Sequence, residues 1–598
     1  MRIILLFFLA IQCCITSYAQ APTDTRLEGL DTFVNRVLED WKAPGISIAV
    51  VEKGKVIYTG GFGFRNVEEK LPVTQHTLFA IGSCTKAFTA SMIGMLEKEG
   101  KLDLDKPVRN YLPELKFKNE YTNAHCTLRD MMCHRTGLPR HDYSWYGSTA
   151  SRHQLLERIQ YLEPSAELRE KYQYNNFMFM SLGVVIEKIT GKSWEQNLEE
   201  RILKPLKMDD TNMSIAALEE AKDRSLAYQS TEDEIKVIPY RNIDAIGPAG
   251  SINSSAADMS NWLLTWINNG LFEDEEIIPS GYRNQAITMQ MASGGGLPGE
   301  ENPDIHLFGY GLAWGVSSYG GHYRVEHSGG IDGFISTTSF FPSDSLGIFV
   351  VSNQGGPSNS VRNFIADRML GIADRNWRGV LLKQKNQFES NFKTSPNQDS
   401  LNQIKNTTPS HPDSSYTGSY ENKGYGIAKI FLENDTLWID YNEAGKRTKS
   451  YLQHYHYDVF RTRSTVEKTD NKNATKLNFQ TDEKGNVSAF KIKIEPAVDE
   501  LVFVRQATVL DIDPNDLEKY LGNYNLMGNT VKVYLRGDGT LMVLVPGQPD
   551  YELVPIGTDQ FKIKVAEGYE VHFEVNDEHK VLSLSFVQPN GTFKAVKQ

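Results

Sequence analysis

Cysteine is scarce in this chain of 598 residues, and its five copies do not suggest a disulfide framework. Cys13 and Cys14 lie in an apolar N-terminal run, which leaves Cys84, Cys126 and Cys133 for the remaining chain. An odd number of cysteines is not typical of paired disulfides. Cys84 directly follows Ser83 and raises the alternative of a thiol nucleophile, but a small buried apolar residue on a helix explains it better.

Several catalytic signatures are absent as well. The chain contains no G-x-S-x-G sequence, which argues against the α/β-hydrolase class. It contains no H-E-x-x-H and no paired C-x-x-C, so we expect no metal and no cofactor. His454 and His456 flank Tyr455 and could suggest a metal pair, but an exposed strand face explains this alternation better.

The chain also lacks a cluster of Lys and Arg, and it has no apolar run of membrane-spanning length beyond its N-terminus. Asp and Glu outnumber Lys and Arg by 75 to 63, and the formal net charge is -12. This balance argues against nucleic acid or anionic lipid as the main partner. We therefore expect neither a nucleic-acid partner nor a membrane span, and the sequence makes no prediction of the oligomeric state.

The N-terminus has the layout of a secretory signal peptide. Met1-Arg2 supplies a positive charge, residues 3–15 are almost wholly apolar, and residues 16–19 end on the small residue Ala19. We expect cleavage after Ala19 and export to the periplasm or the medium. A lipoprotein signal is the alternative, but it requires a small residue before the cysteine, and Gln12 precedes Cys13.

Residues 22–375 predict a domain of the α+β class. Helical periodicity covers residues 30–41 and 84–98, and residues 105–270 are mostly helical in pattern. Residues 45–58 predict a β-hairpin, and three further strands are expected at 323–326, 334–341 and 346–351, before a helix at 361–370. The later strands predict an antiparallel meander.

Two small all-β domains are predicted after this unit. Residues 376–410 are rich in polar residues and predict a linker. Tyr416-Thr417-Gly418-Ser419-Tyr420 matches Tyr520-Leu521-Gly522-Asn523-Tyr524, and both sequences begin a series of short alternating strands. A period near 100 residues indicates a duplicated domain, which we place at 411–506 and 507–598.

Ser83 and Lys86 are the first candidates for chemistry. The pattern Ser-x-x-Lys occurs also at Ser390 and Ser488, so the spacing alone is weak. Only Ser83 follows a short strand and a glycine at the start of an amphipathic helix, where residues three apart share a face. The N-terminus of that helix also offers free N–H groups to a developing oxyanion.

Tyr174 is the second candidate, in the sequence Tyr174-Asn175-Asn176 before an apolar helix. A serine hydroxyl needs a base, and a tyrosine serves only if its pKa falls. A charged Lys86 at ~4 Å would favour the phenolate by about 4 kcal/mol at an effective dielectric of ~20, or roughly three pKa units. The sequence therefore leaves open whether Lys86 or Tyr174 is the primary base.

His327-Ser328-Gly329, followed by Gly330, is the third element. The two glycines leave room for a substrate to lie against the edge of a strand. A histidine beside a glycine is more often a loop residue, so this element gains its meaning only from the other two.

In this order, Ser83-Cys84-Thr85-Lys86, Tyr174-Asn175-Asn176 and His327-Ser328-Gly329 resemble the three motifs of the β-lactamase-related serine hydrolases. This family includes class C β-lactamases, penicillin-binding D-alanyl-D-alanine carboxypeptidases, D-aminopeptidases and related esterases. Supporting stretches begin at His134, Pro205, Pro248 and Tyr310. The resemblance implies a β-lactamase-like antiparallel sheet flanked by helices beside an all-helical region, and lipocalin-like barrels for the two repeats.

The resemblance also implies roles for individual residues. Ser83 would be the nucleophile, Lys86 and Tyr174 the proton-transfer pair, and Asn176 a contact to the substrate amide. The oxyanion hole would be the N–H groups of Ser83 and Gly330. His327 stands where many members carry Lys, and a histidine is mostly neutral at pH 7, which weakens the β-lactamase assignment.

The expected activity is hydrolysis of an amide or ester bond through an acyl-Ser83 intermediate. We expect the substrate to be a small peptide with a D-residue or a cell-wall peptide. An esterase or a weak β-lactamase of the same family is the alternative, and a non-hydrolysing penicillin-recognising binding protein is another. Tyr143, Trp145 and Tyr146 either line the pocket or form an ordinary packed loop.

Overall fold

The structure is a computed structural model. It describes residues 24–230, 234–294, 297–299, 306–394, 401–441, 450–463, 474–506, 513–566 and 568–598. The predicted signal peptide, residues 1–19, lies outside these ranges. The described chain forms an α+β unit followed by two closed eight-stranded antiparallel barrels. The predicted fold class is therefore confirmed.

Twelve α-helices are described, and most of them belong to the α+β unit. They are α1 (Leu30–Trp41), α2 (Thr85–Lys98), α3 (Glu120–His125), α4 (Leu128–Met132), α5 (Arg152–Arg158), α6 (Asn176–Thr190), α7 (Trp194–Leu198), α8 (Ile215–Glu220), α9 (Ala256–Ile267), α10 (Ser280–Ala286), α11 (Ser358–Leu370) and α12 (Trp377–Thr394). Of the helices in the described ranges, none combines the length and apolar character that a membrane crossing requires.

The strands of the α+β unit are β1 (Gly45–Glu52), β2 (Lys55–Asn66), β3 (Leu71–Pro72), β4 (Phe79–Ala80), β5 (Ala227–Ser230), β6 (Ile235–Ile238), β7 (Asn253–Ser254), β8 (Leu271–Phe272), β9 (Glu275–Glu276), β10 (Met291–Gly294), β11 (Phe308–Tyr310), β12 (Gly315–Tyr319), β13 (His322–Ile331), β14 (Phe334–Phe341) and β15 (Leu346–Ser352). Nine of them form one antiparallel sheet in the order β10-β11-β12-β13-β14-β15-β1-β2-β3. The predicted hairpin and meander are both part of this sheet.

Helices cover both faces of the sheet, and the strand sequences show why. Along β1, Ile46, Ile48 and Val50 join the apolar cluster under α1 and α11. Ala49 and Val51 point to the opposite face and join the larger cluster that contains α2 and α9. Successive side chains of a strand point to opposite faces, so a continuous apolar run suits a strand that is buried on both sides.

Helix α2 is the buried centre of the helical region. Every residue from Thr85 to Leu96 is buried. Gly94 permits the close approach of Tyr282, because a Cβ at this glycine would lie 2.1 Å from the tyrosine ring. The helix is therefore held on all sides, and its N-terminal end, which follows Ser83, is a rigid position.

The first barrel consists of β16 (Gly418–Asn422), β17 (Gly426–Glu433), β18 (Thr436–Tyr441), β19 (Ser450–His456), β20 (Val459–Arg463), β21 (Lys476–Thr481), β22 (Val487–Ile492) and β23 (Leu501–Arg505). The second consists of β24 (Gly522–Leu526), β25 (Asn529–Leu535), β26 (Leu541–Leu544), β27 (Tyr551–Gly557), β28 (Gln560–Ile563), β29 (Glu570–Val575), β30 (Val581–Gln588) and β31 (Gly591–Lys597).

The two barrels repeat the same internal contacts. Tyr420 donates its hydroxyl to the carbonyl oxygen of Tyr416, and Tyr524 donates to that of Tyr520 at the equivalent position. Tyr416 and Tyr520 in turn donate to an aspartate of their own barrel. The duplication that the sequence predicts is thus a duplication of structure.

Helix α12 occupies the first half of the segment 376–410, which the sequence predicts to be a linker. Trp377 is 4% exposed, and its indole donates to Asp367. Arg378 forms an ion pair with Asp40 of α1. The segment is mostly polar, but one apolar face of α12 packs on the α+β unit. The beginning of the segment is therefore a packed helix and not a free linker.

Candidate active site

Ser83 lies in a short 3-10 helix, Gly82–Cys84, that leads directly into α2. Strand β13 passes close to this turn. A Cβ at Gly82 would lie 2.8 Å from the backbone nitrogen of Gly330, and one at Gly329 would lie 1.9 Å from the carbonyl oxygen of Ile81. The glycines of both elements therefore allow the strand to approach the serine, as the Gly329-Gly330 pair suggests.

Lys86 is fully buried one turn after Ser83. Its Nζ lies 3.1 Å from Ser83 Oγ, 2.7 Å from Asn176 Oδ1 and 2.7 Å from the carbonyl oxygen of Ala249. Burial is the main cause that lowers the pKa of Lys86 well below its usual 10.5, and the nearby Arg140 adds to the effect.

A neutral amine fits the three contacts of Lys86. It has two N–H groups and one lone pair, whereas the ammonium form has three N–H groups and no acceptor. Asn176 Oδ1 and the carbonyl of Ala249 accept hydrogen bonds and cannot donate them. Ser83 Oγ–H is the only donor of the three, so the lone pair can face it. This arrangement can take the proton of Ser83.

Tyr174, the other candidate for the base, lies beside this pair. Its ring centroid lies 4.9 Å from Lys86 Nζ, and its hydroxyl shares a hydrogen bond with Ser83. Burial raises the pKa of Tyr174, against the lowering effect of that hydrogen bond. The sequence leaves open whether Lys86 or Tyr174 is the base, and a phenolate would need a charged Lys86 beside it. Burial instead favours the neutral form of both groups.

Asn176, the first residue of α6, holds the amine of Lys86 in place. Its Oδ1 accepts from Lys86, and its Nδ2 donates to Asp142 Oδ1 at 2.9 Å. Asp142 also accepts from the indole of Trp145 and from Arg140. Both ends of the Asn176 amide therefore already have partners, although the residue borders the cavity in which a substrate amide is expected.

His327 is 6% exposed on β13 and has a partner at each ring nitrogen. Nδ1 lies 2.6 Å from the carbonyl oxygen of Ser328, and Nε2 lies 2.7 Å from the hydroxyl of Tyr310. The carbonyl can only accept, so Nδ1 carries the proton and Nε2 accepts from Tyr310. Burial lowers the pKa of His327 to about 4, so the side chain is neutral at pH 7.

Two cavities meet at Ser83 and Gly330. The polar cavity, of about 640 Å³, is bordered by Arg140, Tyr172, Tyr174, Tyr310, His327, Ser328, Asn359 and Arg362. The apolar cavity, of about 390 Å³, is bordered by Trp145, Tyr146, Ile243, Ile246, Ile331 and Ile335. A carbonyl carbon at the junction would have one cavity for each of its two substituents.

The structure separates the three aromatic residues Tyr143, Trp145 and Tyr146, which the sequence places either at the pocket or in a packed loop. Trp145 and Tyr146 border the apolar cavity, whereas Tyr143 is 55% exposed. Three residues border both cavities, Ser83, Arg140 and Gly330, and the backbone N–H groups of Ser83 and Gly330 are the ones to which the resemblance assigns the oxyanion hole. The first N–H groups of a helix lack partners within the helix, which suits the oxyanion role that the resemblance implies for Ser83.

A family model described as Beta-lactamase matches residues 30–369, which is more than half of the chain. This chain belongs to the β-lactamase-related serine hydrolase family. A second model, described as Domain of unknown function (DUF3471), matches residues 402–505, the region of the first barrel.

Individual relatives agree with this placement in the β-lactamase-related family. Unguisins hydrolase ungD' of Aspergillus campestris is 29% identical over 437 residues, which cover 68% of this chain and 78% of that protein. Protein flp of Staphylococcus aureus is 24% identical over 376 residues, or 62% of this chain and 71% of that protein. The octameric penicillin-binding protein homologue from Pyrococcus abyssi is similar in fold, with a TM-score of 0.51 and 22% identity over 79% of this chain and 99% of that chain.

The sequence motifs do not identify several residues of this β-lactamase-related site. Arg140 and Arg362 border the polar cavity, and Asp142 accepts a hydrogen bond from Asn176. Arg362 lies on a helix that periodicity predicts, yet periodicity says nothing about which face borders a site. Tyr310 lies in one of the supporting stretches, and that stretch is the one signal that could have led to it.

In the described ranges, no group of three or more His, Cys, Asp and Glu side chains is placed to hold a metal ion. Cys84, Cys126 and Cys133 are all buried as free thiols. Burial raises the pKa of Cys84, whose Sγ contacts Ser336, and Cys84 does not border either of the two cavities at Ser83. A thiol nucleophile is therefore not supported.

The buried histidines predict acid sensitivity of the fold. His141 and His327 have pKa values lowered to about 4, against ~6.5 in an unfolded chain. The unfolded state then binds more protons below pH ~6.5, so stability is lost as the pH falls from about 6.5 to about 4. Urea denaturation at pH 7 and pH 4.5 measures this loss. His327→Asn should reduce it, and His153→Asn, at an exposed position, should leave it unchanged. An equal loss in all three proteins would contradict the assignment.

Proposed function

We propose that this protein hydrolyses an amide or ester bond through an acyl intermediate on Ser83, with neutral Lys86 as the general base. The observation that carries the proposal is the set of contacts at Lys86 Nζ, which lies 2.7 Å from two carbonyl oxygens and 3.1 Å from Ser83 Oγ. A neutral amine would give its two N–H groups to the carbonyl oxygens and turn its lone pair to Ser83 Oγ–H. A base within hydrogen-bonding reach and neutral at the working pH is what a serine nucleophile needs.

In acylation, Ser83 Oγ gives its proton to Lys86 Nζ and bonds to the substrate carbonyl carbon. The N–H groups of Ser83 and Gly330 stabilise the oxyanion that forms. The protonated Lys86 then favours loss of the phenolic proton, so Tyr174 can donate it to the leaving nitrogen or oxygen and recover a proton from Lys86. The leaving group departs as a neutral amine or alcohol, and Lys86 is neutral again.

In deacylation, a water molecule takes the place of the leaving group in the polar cavity. Lys86 accepts a proton from this water, and the resulting hydroxide bonds to the acyl carbon. The bond to Ser83 Oγ breaks, and the proton held by Lys86 returns to Oγ. The net reaction adds one water across the amide or ester bond and regenerates both residues.

For the substrate, we propose a peptide that contains a D-residue or comes from the cell wall. The family resemblance and the two-sided site support this choice, since the apolar cavity suits a side chain and the polar cavity suits the peptide end. An esterase or weak β-lactamase is the second candidate. Neutral His327 supplies no positive charge for the carboxylate of a β-lactam, and the two arginines at the polar cavity are paired, Arg362 with Glu326 and Arg140 with Asp142, so the amide substrate stays the first candidate. We also propose export of the protein, on the basis of residues 1–19.

The test is to incubate the full chain with a fluorophosphonate and with a labelled penicillin, and to measure the intact mass and the modified peptide. We expect an adduct on Ser83. Turnover is then compared across D-amino-acid amides, short-chain esters and a chromogenic cephalosporin, and the amides should give the highest kcat/KM. Failure of both reagents to modify Ser83 would favour the non-hydrolysing binding protein.

Tyr174→Phe is expected to lower kcat by about 10²-fold with little change in KM. The substitution removes the hydroxyl that transfers the proton and keeps the ring that packs beside Lys86. The matched control is Tyr319→Phe, which removes a buried hydroxyl bonded to Asp367 in the other apolar cluster. Near-normal kcat in Tyr174→Phe would remove Tyr174 from the proton transfer.

A further inference from the structure

The segment 139–146, which we name the site wall, forms one side of the candidate active site. Arg140, Asp142, Trp145 and Tyr146 border the apolar cavity, and Arg140 borders the polar cavity as well. The shape of the apolar cavity therefore depends on how this segment is held.

Asp142 ties the site wall to the catalytic residues. It accepts hydrogen bonds of 2.9 Å from Asn176 Nδ2 and from the indole of Trp145. Asn176 in turn holds the amine of Lys86 at 2.7 Å. A displacement of the site wall would thus change both the shape of the apolar cavity and the position of the Lys86 amine.

The first barrel holds the site wall from the other side. Tyr425 donates its hydroxyl to His141 Nδ1 at 2.6 Å, because Nε2–H of that histidine is given to the carbonyl of Glu163. Ser144 Oγ donates to the carbonyl oxygen of Gly424 at 2.5 Å. The backbone N–H of Tyr143 donates to the Glu495 carboxylate at 3.2 Å. Three of four consecutive residues of the wall are therefore bonded to the barrel.

The contacts of His141 and Ser144 are buried, and His141 has an unfavourable backbone conformation. His141 and Ser144 are 0% exposed, and Tyr425 is 3% exposed. His141 has a φ of +49°, in the left-handed region that costs a non-glycine residue free energy. Such a conformation persists only where the surroundings impose it, and the bond from Tyr425 is part of those surroundings.

The second barrel provides an internal comparison. The turn between β16 and β17 in the first barrel contains Lys423, Gly424 and Tyr425, whereas the equivalent turn between β24 and β25 contains only Met527 and Gly528. Met527 is 81% exposed. The longer turn of the first barrel is therefore the one that supplies Tyr425, and a barrel of this type does not need the extra residue in order to close.

We propose that the first barrel is a positioning domain for the active site and that Tyr425 is its main positioning residue. By fixing the site wall, the barrel sets the width of the apolar cavity and so selects which side chains can lie there. The link to specificity rests on the proposed function, since it takes the apolar cavity as the place of a substrate side chain. The contact between the first barrel and the site wall does not depend on the proposed function.

Hydrogen exchange of the full-length protein tests the positioning without any substrate. In Tyr425→Phe, which loses only the hydroxyl, amides of the site wall should exchange about 5-fold faster, and Tyr425→Ala should give a larger increase. The control is Tyr420→Phe, which removes a buried hydroxyl bonded inside the same barrel. Unchanged exchange in both Tyr425 variants, or an equal increase in Tyr420→Phe, would overturn the proposal.

Phosphonylation of Ser83 tests the consequence for specificity. The second-order rates are measured with a fluorophosphonate that carries a bulky aromatic group and with one that carries a small alkyl group. Tyr425→Phe should lower the ratio of the bulky to the small rate about 5-fold, and Tyr420→Phe should leave the ratio unchanged. A ratio unchanged in Tyr425→Phe and Tyr425→Ala would overturn the selection of side chains. A wild-type protein that forms no Ser83 adduct would refute the proposed function, while the exchange result would still decide the positioning.

Discussion

Ser83→Ala is expected to lower kcat/KM for any amide or ester substrate by more than 10³-fold, with no loss of fold. The substitution removes the hydroxyl that Lys86 contacts, at a residue that borders both cavities, so no acyl intermediate can form. Removal of a serine nucleophile elsewhere costs on the order of 10⁶-fold, and binding and the oxyanion hole account for the residual rate. Steady-state kinetics with the best substrate of the panel measures this effect.

Ser91→Ala is the matched control, because it changes the same residue type on the same buried helix. Ser91 donates its hydroxyl to the carbonyl oxygen of Ala87, inside α2 and away from the cavities. We expect a small loss of stability and normal kinetics. Wild-type turnover in Ser83→Ala would show that another residue is the nucleophile.

Lys86→Met is expected to lower kcat/KM on the order of 10³-fold, at the upper end of what general-base catalysis contributes. Methionine fills a similar volume but has no basic nitrogen to take the proton of Ser83 Oγ, and it leaves Asn176 Oδ1 without its donor. In the wild type, kcat/KM should fall with decreasing pH as Lys86 takes a proton, because only the neutral amine accepts one from Ser83. The pKa of Lys86 lies well below 10.5, so this loss should begin below that pH.

The control for this prediction is Lys98→Met at the other end of α2. Lys98 is 58% exposed and pairs with Glu276 at the surface. Its loss should change neither kcat nor the pH profile. If Lys86→Met keeps both the rate and the pH profile of the wild type, the proton of Ser83 goes elsewhere.

Local patterns predicted most of the fold. The hairpin at 45–58 and the strands of the meander are continuous apolar runs between turns, and such runs mark buried strands. The duplicated barrels were visible because Tyr416 and Tyr420 recur with the same spacing at Tyr520 and Tyr524. Helix α12 was missed because its packing on α1 depends on a few residues, such as Trp377, within a polar segment.

The site was predicted in its components but not in its electrostatics. Ser83, Lys86, Tyr174 and His327 are brought together as their motifs suggest. The sequence leaves the base open between Lys86 and Tyr174, because the burial that raises the pKa of Tyr174 is a property of the whole fold and no local motif contains it. The same limit applies to the site wall. Tyr425 lies 284 residues from His141 in sequence, and no local pattern connects them.

The most direct test of neutral Lys86 as the base is the rate of Ser83 phosphonylation by a small fluorophosphonate as a function of pH. We expect an adduct on Ser83 alone and a rate that rises with pH through a single deprotonation well below pH 10.5 and then stays constant. In Lys86→Met the rate should be low and should lack this transition. An adduct on another residue, or the same pH transition in Lys86→Met, would contradict the role assigned to the neutral lysine.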